Sequence, residues 1–266
     1  MSAGVNAGAG SGTAAGAGMG ARRMRAALRG TTQAVIPLLL ALLVGALVIL
    51  AMGRDPLAFY AKIFQYGVLG DNWMRSLVLL APLLLIAVGL IVVFRGQLWN
   101  LGYGAQFLLG AVVVSGFGPA VFAAVSVEWG TLLLLLGSAL IGAAWTLIPA
   151  MLKARTGTNE IVTSLVMSFI GIGIVNLLIK GPLKDPTVPI PQTPVIPTAA
   201  LLPYIGPTTI HVGLILALVV AVLFQFLLSR TSFGLKIDVF GASPLAARHI
   251  GIDSTRMVVT LFAISG

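Results

Sequence analysis

Phe94-Arg95-Gly96-Gln97-Leu98-Trp99-Asn100-Leu101-Gly102-Tyr103-Gly104-Ala105-Gln106-Phe107 is a polar interruption between two apolar runs, residues 77–94 and 107–127. Each run is long enough to cross a hydrocarbon core of about 30 Å as a helix. Polar groups between such runs need a role. Helical from Trp99, the segment would set Trp99, Tyr103, Gln106 and Gly110 on one face at i, i+4, i+7 and i+11 spacing. Two aromatic rings beside a carboxamide and a gap suit a flat polar solute. The same residues suit a glycine-softened helix start at a membrane interface, where Trp and Tyr are enriched.

Outward from this stretch the pattern repeats. Further apolar runs occupy 34–52, 131–152, 161–179 and 210–228, and another starts near Met257 and is still running at Gly266. The chain of 266 residues is 58% hydrophobic and only 9% charged, with a mean hydropathy of +1.06. A soluble domain carries about 25% charged residues. Continuous apolar runs of this length are helices, because barrel strands alternate in short segments. The expected fold is an all-α integral membrane protein, a polytopic helix bundle of six complete spans and an incomplete seventh.

The net charge of +9 is a matter of topology. With the amino terminus inside, the inner side receives Arg22, Arg23, Arg25, Arg29, Arg95, Lys153, Arg155, Arg230, Lys236, Arg248 and Arg256. The outer side receives Arg54, Lys62, Arg75, Lys180 and Lys184, so the split is 11 against 5. The positive-inside rule then places the amino terminus in the cytoplasm, and nucleic acid is not an expected partner. Residues 1–33 hold no acid and end in the arginine cluster, which reads as a disordered basic cytoplasmic arm. A mitochondrial presequence is the alternative reading of that arm. No small-residue cleavage site follows a short apolar core, so 34–52 reads as an uncleaved first span.

The loop after the first span mixes charges around the apolar patch 57–60, as a short interfacial amphipathic helix would. Gly116, Gly118 and Pro119 are expected to end the helix of the third span, with Glu128 and Trp129 marking the outer interface. Residues 153–160 lead into the fifth span, where Thr158 is a candidate helix cap and Glu160 sits in the first turn, favoured by the helix dipole. Glu160, Ser164, Met167 or Ser168, and Gly171 also form a small and polar face of the kind that meets a helix partner or a water-filled path. Eight of the 14 prolines fall between 181 and 209, which therefore reads as a stiff outer loop, either presenting a surface or covering one. The inner loop 230–256 carries a short helix: Ser243 as N-cap, Pro244 at the first position, Leu245 to Ile250 as body, Gly251 as stop. A helix that short needs an outside support, either the membrane surface or a soluble partner.

No G-x-x-x-x-G-K-[ST] or H-E-x-x-H occurs, and Cys is absent. His211 and His249 lie far apart, so no metal or cofactor is expected. An enzyme is not the expectation. A channel, a secondary transporter or the membrane subunit of an externally driven machine remains.

Four stretches resemble one family, the permease subunits of bacterial ABC importers of the branched-chain amino acid, ribose and nucleoside type. Residues 98–107 look like its F-N-I-G-x-E-G-Q-F segment, and 156–162 like its T-G-x-N-E-V-I. Residues 181–186 with 191–193 look like G-P-x-x-D-P and P-Q-T, and 241–252 like G-x-N-P-x-A-A-R-Y-x-G-I. The second and third stretches are most similar to the nucleoside (simple-sugar) branch. Tyr103 and Ala105 flank the glycine where the family favours an acid nearby, Ser243 replaces Asn, and His249 replaces Tyr.

The resemblance implies an inner-membrane permease domain over 34–266 that translocates nucleosides, or related purine-like or simple-sugar solutes, using ATP hydrolysed by a separate subunit. Its partners would be that ATPase, a second permease copy or paralogue, an extracytoplasmic solute-binding protein and membrane lipid. Trp99, Asn100, Tyr103, Gln106, Glu160 and Ser164 would line the path. Ser243, Pro244, Leu245, Arg248, His249 and Gly251 would couple to the ATPase across loop 230–256. The family's permeases are longer than this chain, which implies a truncated copy lacking the final helices. The resemblance also leaves 99–106 as either an inner loop or a broken intramembrane helix. Outside the family, the rival readings are a stand-alone secondary transporter and a membrane scaffold that does not transport.

Overall fold

The computed structural model describes residues 35–70 and 72–266, so the basic arm expected over 1–33 lies outside the described residues. The described residues are mostly helical, with no strand among them beyond one isolated bridge between Tyr204 and His211. Five helices are long and apolar enough to cross a membrane: α3 (Asn72–Arg95), α4 (Tyr103–Ala124), α5 (Val127–Thr156), α6 (Glu160–Lys180) and α7 (Gly213–Arg230). Two shorter apolar helices, α1 (Val35–Ala51) and α10 (Ser254–Ser265), stand where the first span and the incomplete seventh were expected. Between α7 and α10 lie α8 (Ser232–Ala242) and α9 (Pro244–His249), and α2 (Pro56–Phe64) follows α1.

The chain divides into two compact units at Trp73 and Met74. In the first, Asp55 caps α2 by accepting from the Leu57 N–H at 2.8 Å, with Pro56 at the first helical position. The Tyr60 hydroxyl donates to the Leu42 carbonyl at 2.8 Å, beside Gly45, where a β-carbon would meet that oxygen. Tyrosine and glycine thus pin α2 to α1.

In the second unit α5 is the central post, packed most heavily against α4 and α10. Its 30 residues span about 45 Å at 1.5 Å per residue. The largest buried cluster joins Val92 and Val93 of α3, Ile237 and Phe240 of α8, Ala247 of α9, and Met257, Val258, Leu261 and Phe262 of α10. Long apolar faces elsewhere stay exposed, as a bundle solvated by lipid requires.

Several sequence expectations are corrected. Gly116, Gly118 and Pro119 do not end a helix, since α4 continues to Ala124. A membrane helix tolerates an internal proline when its neighbours re-satisfy the backbone. The two glycines serve as approach points, because a β-carbon on Gly116 would lie 2.6 Å from Leu183, and one on Gly118 would touch Ile196. Segment 181–209 is therefore pinned across the end of α4 as a cover, with one 3-10 turn at Thr198–Ala200. Asn159, not Thr158, caps α6, accepting from the Ile161 N–H at 2.9 Å. The short helix α9 is held by the chain itself, through Ala247 in the main core. α8 was not foreseen; Thr231 caps it, its hydroxyl accepting from the Gly234 N–H.

Candidate functional site

Residues 96–102 form a non-helical linker between α3 and α4. α3 closes in a Schellman pattern: Gln97 N–H donates to the Phe94 carbonyl at 2.9 Å and Leu98 N–H to the Val93 carbonyl at 3.0 Å. The left-handed residue of that motif is ordinarily glycine, but here it is Gln97, at φ 57°. Gly96 is needed one position earlier, where a β-carbon would lie 2.5 Å from Leu261 Cδ1. Leu98, the apolar member of the motif, is buried with Val92 and Val93.

Beyond Leu98 the linker is held by side chains. Asn100, fully buried, and Gln106 exchange their amides: Asn100 Nδ2 donates to Gln106 Oε1 at 3.1 Å, and Gln106 Nε2 to Asn100 Oδ1 at 3.0 Å. Asn100 Oδ1 also accepts from the Gly102 N–H at 3.0 Å, and its Nδ2 donates to Ser265 Oγ of α10 at 3.0 Å. Ser164 Oγ of α6 accepts from the Leu101 N–H at 3.0 Å and donates to the Glu160 carbonyl at 2.6 Å. Non-helical backbone inside a bundle survives only when its polar groups are satisfied within protein. Asn100 and Ser164 do that here.

The linker changes which expected site residues meet. Helix α4 begins at Tyr103, so Trp99 does not share its face with Tyr103, Gln106 and Gly110. Trp99 packs on Phe94 instead, ring centroids 4.9 Å apart at 50°, and stays half exposed. Tyr103 is also half exposed. With Gln106, Phe107, Gly110 and Ser138 it lines a cavity of 390 Å³ bounded by α3, α5 and the end of α10. Asn100, Gln106 and Ser164 come together in one cluster. Glu160 is one turn below Ser164, buried, and its carboxylate meets Lys153 Nζ at 2.8 Å. Lys153 was read from the sequence as an inner-side charge but not as the partner of Glu160, although an opposite charge across a short turn was there to be read.

At the opposite end of the linker lie the residues of loop 230–256. Ser243 Oγ caps α9 by accepting from the Ala246 N–H at 3.2 Å, and Gly251 takes a left-handed φ of 83° beyond its end. Pro244, Leu245 and Arg248 line a 570 Å³ cavity together with Gln97, Lys153 and Glu160. Arg248 donates to Ser254 Oγ at 3.3 Å, and His249 is exposed and does not line this cavity. The expected inner loops 95–107, 153–160 and 230–256 thus share one end of this unit, which carries Arg95, Lys153, Arg155, Arg230, Lys236, Arg248 and Arg256.

One contact ties α9's neighbourhood to the linker. Arg95 donates through Nε and Nη2 to the two Asp238 oxygens of α8, at 2.5 and 2.8 Å. Those bonds hold the Asp238 carboxyl below its ordinary range. Gly241 of α8 lies against the Arg95–Gly96 backbone, too close for a side chain. Any shift of α8 therefore acts on the residues that lead into Trp99 and Asn100. At the other end of the unit, Asp185 is lowered by the Thr187 hydroxyl and backbone N–H, which fold the turn of the proline-rich cover.

Comparison with known proteins gives these parts a context. The chain is 28% identical over 244 residues to the glucose ABC transporter permease protein TsgB13 of Haloferax volcanii, covering 87% of this chain and 64% of that one. It is 25% identical to the guanosine ABC transporter permease protein NupP of Bacillus subtilis, covering 87% and 67%. With the nucleoside ABC transporter permease protein NupB of Lactococcus lactis it shares 26% identity, covering 89% and 68%. The chain thus spans about two thirds of the length of these relatives. No solved structure matches. Residues 72–266, from the start of α3 onward, match the family described as the branched-chain amino acid transport system permease component, and the chain belongs to that family.

Proposed function

We propose that this chain is the membrane-spanning permease subunit of an ABC importer for nucleosides or related purine-like solutes, driven by ATP hydrolysed on a separate subunit. The observation that carries the proposal is the connected run from α9 through α8 to the linker. α9 presents exposed Leu245 and Arg248 at the basic end. It packs on α8, α8 grips Arg95, and Arg95 opens the linker that holds Trp99, Asn100 and the start of α4. A push on α9 by an ATPase would so reach the aromatic pair within one short segment. By the positive-inside rule that end faces the cytoplasm, as does the amino terminus.

In this scheme Trp99 and Tyr103 meet the solute. Aromatic stacking contributes about 1–3 kcal/mol per base, which favours a base-bearing solute over a bare sugar. Asn100, Gln106, Ser164 and Glu160 line the path from behind, because their polar groups already hold one another, the linker or Lys153. The proline-rich cover would receive an extracytoplasmic binding protein, and a second permease copy or paralogue would complete the path. Two of the three relatives named above carry guanosine or nucleoside in their names and one carries glucose. Uptake of labelled guanosine and glucose by cells expressing the complete transporter tests the solute class. Guanosine uptake that falls at least tenfold in Trp99→Ala supports the proposal. Glucose uptake without guanosine uptake would replace it with the sugar alternative.

A further inference from the structure

We propose that the cleft between α8, residues 250–253 and α10 binds the headgroup of an anionic phospholipid. The inference depends on the chain's membrane character but not on which solute it carries or which ATPase it meets. Its position comes first. α7 is apolar through Leu228 and ends at Arg230, and α8 begins at once, so Phe233 and Lys236 lie in the first turns after a spanning helix. α10 turns apolar at Met257, directly after Arg256. Both walls of the cleft therefore stand where apolar helix gives way to charge, the depth at which lipid headgroups lie.

Next is the chemistry. The cleft has a volume of 340 Å³, with buried or half-buried Phe233, Ile252 and Met257 on its walls and exposed Lys236 and Arg256 beside them. Among the described residues Lys236 makes no hydrogen bond or ion pair. Asp253 is the acid in the cleft, and it is occupied as the cap of α10, accepting from the N–H groups of Thr255 and Arg256 at 2.9 and 3.2 Å. Its contact with the Arg256 guanidinium, 3.4 Å with that side chain 88% exposed, is too open to neutralise it strongly. The cleft is left net positive.

An isolated basic patch would suit any anion. Here Leu235 and Ile250 flank the charges at 65% and 66% exposure. Apolar side chains beside a partnerless Lys236 and a loosely paired Arg256 match a molecule that has a phosphate next to hydrocarbon. A phospholipid satisfies both, its phosphate at Lys236 and Arg256 and its acyl chain along Phe233 and Met257.

The test uses the full chain in its transporter complex, purified in detergent, delipidated and then titrated with phosphatidylglycerol, phosphatidylcholine or inorganic phosphate, with bound lipid read by native mass spectrometry. Phosphatidylglycerol should bind at least tenfold tighter than phosphatidylcholine, with no binding of inorganic phosphate. The K236Q/R256Q pair should weaken phosphatidylglycerol about 30-fold, the equivalent of about 1 kcal/mol per basic side chain. The K236R/R256K pair should stay within threefold of the parent. Equal binding of the two lipids by the parent overturns the proposal without any variant. So does phosphatidylglycerol binding that survives K236Q/R256Q, and inorganic phosphate that competes on equal terms would make the cleft a free-anion site instead.

Discussion

Replacing Asn100 with alanine should destabilise the folded chain by about 3 kcal/mol, and the loss should depend on Gln106. The Asn100 carboxamide makes four hydrogen bonds, to Gln106 twice, to the Gly102 N–H and to Ser265. Its removal leaves the Gly102 N–H and both ends of the Gln106 amide without partners in a site where Gln106 is 7% exposed. An unsatisfied buried polar group costs about 1–3 kcal/mol, and water entering the vacated space offsets part of the sum. Gln106→Ala should cost less, about 2 kcal/mol, because Asn100 keeps Gly102 and Ser265. The double variant should cost about 3 rather than 5 kcal/mol, since no Gln106 amide then remains to be orphaned, a coupling of about 2 kcal/mol. Denaturant unfolding in detergent micelles, followed by tryptophan fluorescence, measures all four proteins. Additivity within about 0.5 kcal/mol would refute the reciprocal amide pair as the clasp of the linker.

Three further outcomes follow from the same geometry. Gln97→Gly should stabilise the chain by about 0.5 kcal/mol, relief of a left-handed residue offset by glycine's greater unfolded freedom, whereas Gly96→Ala should cost about 1–3 kcal/mol through its collision with Leu261; thermal unfolding in detergent separates the two signs. Lys153→Met should cost about 3 kcal/mol and Glu160→Gln about 1, because the first strands a carboxylate in a site 9% exposed while the second leaves an ammonium 31% exposed and able to reach water; equal costs by denaturant unfolding would count against the pair. The Asp238 carboxyl has its folded pKa depressed by Arg95, so the stability it contributes is present above about pH 4, the ordinary carboxylate range, and is lost as pH falls through the lower folded value. Asp238→Asn should therefore cost up to about 1 kcal/mol at pH 7, the Arg95 and Asp238 side chains being 33% and 43% exposed, and the difference from the parent should vanish in acid.

Much of the architecture was legible because it depends on local chemistry. Long apolar runs announced α3 to α7, and Ser243, Pro244 and Gly251 marked the bounds of α9 to within a residue. The inner loops named from charge alone do gather at one end. What was not legible depends on partners far away in sequence. Trp99 would have shared a face with Tyr103 only if the helix began there, and it does not, because Asn100 and Ser164, the latter 63 positions from its partner Leu101, supply the bonds that a helix would otherwise make. Gly116 and Gly118, expected to end a helix, instead lie inside α4 with Leu183 and Ile196 packed onto them, another contact across the sequence. α8 was missed although Phe233, Ile237 and Phe240 stand at i, i+4 and i+7, because that stripe follows α7 almost at once and its partners on α3 and α10 lie far off in sequence.

The central claim is that α9 takes force from an ATPase. Affinity purification of the chain from its native membrane in mild detergent, as the parent and as Arg248→Glu, tests it most directly. Arg248 is exposed and outside the core, so the variant should fold and insert as the parent does. The account predicts that an ATPase subunit copurifies with the parent and is lost from the variant. An ATPase retained equally by both would contradict α9 as the coupling element, and none with either would contradict the importer itself.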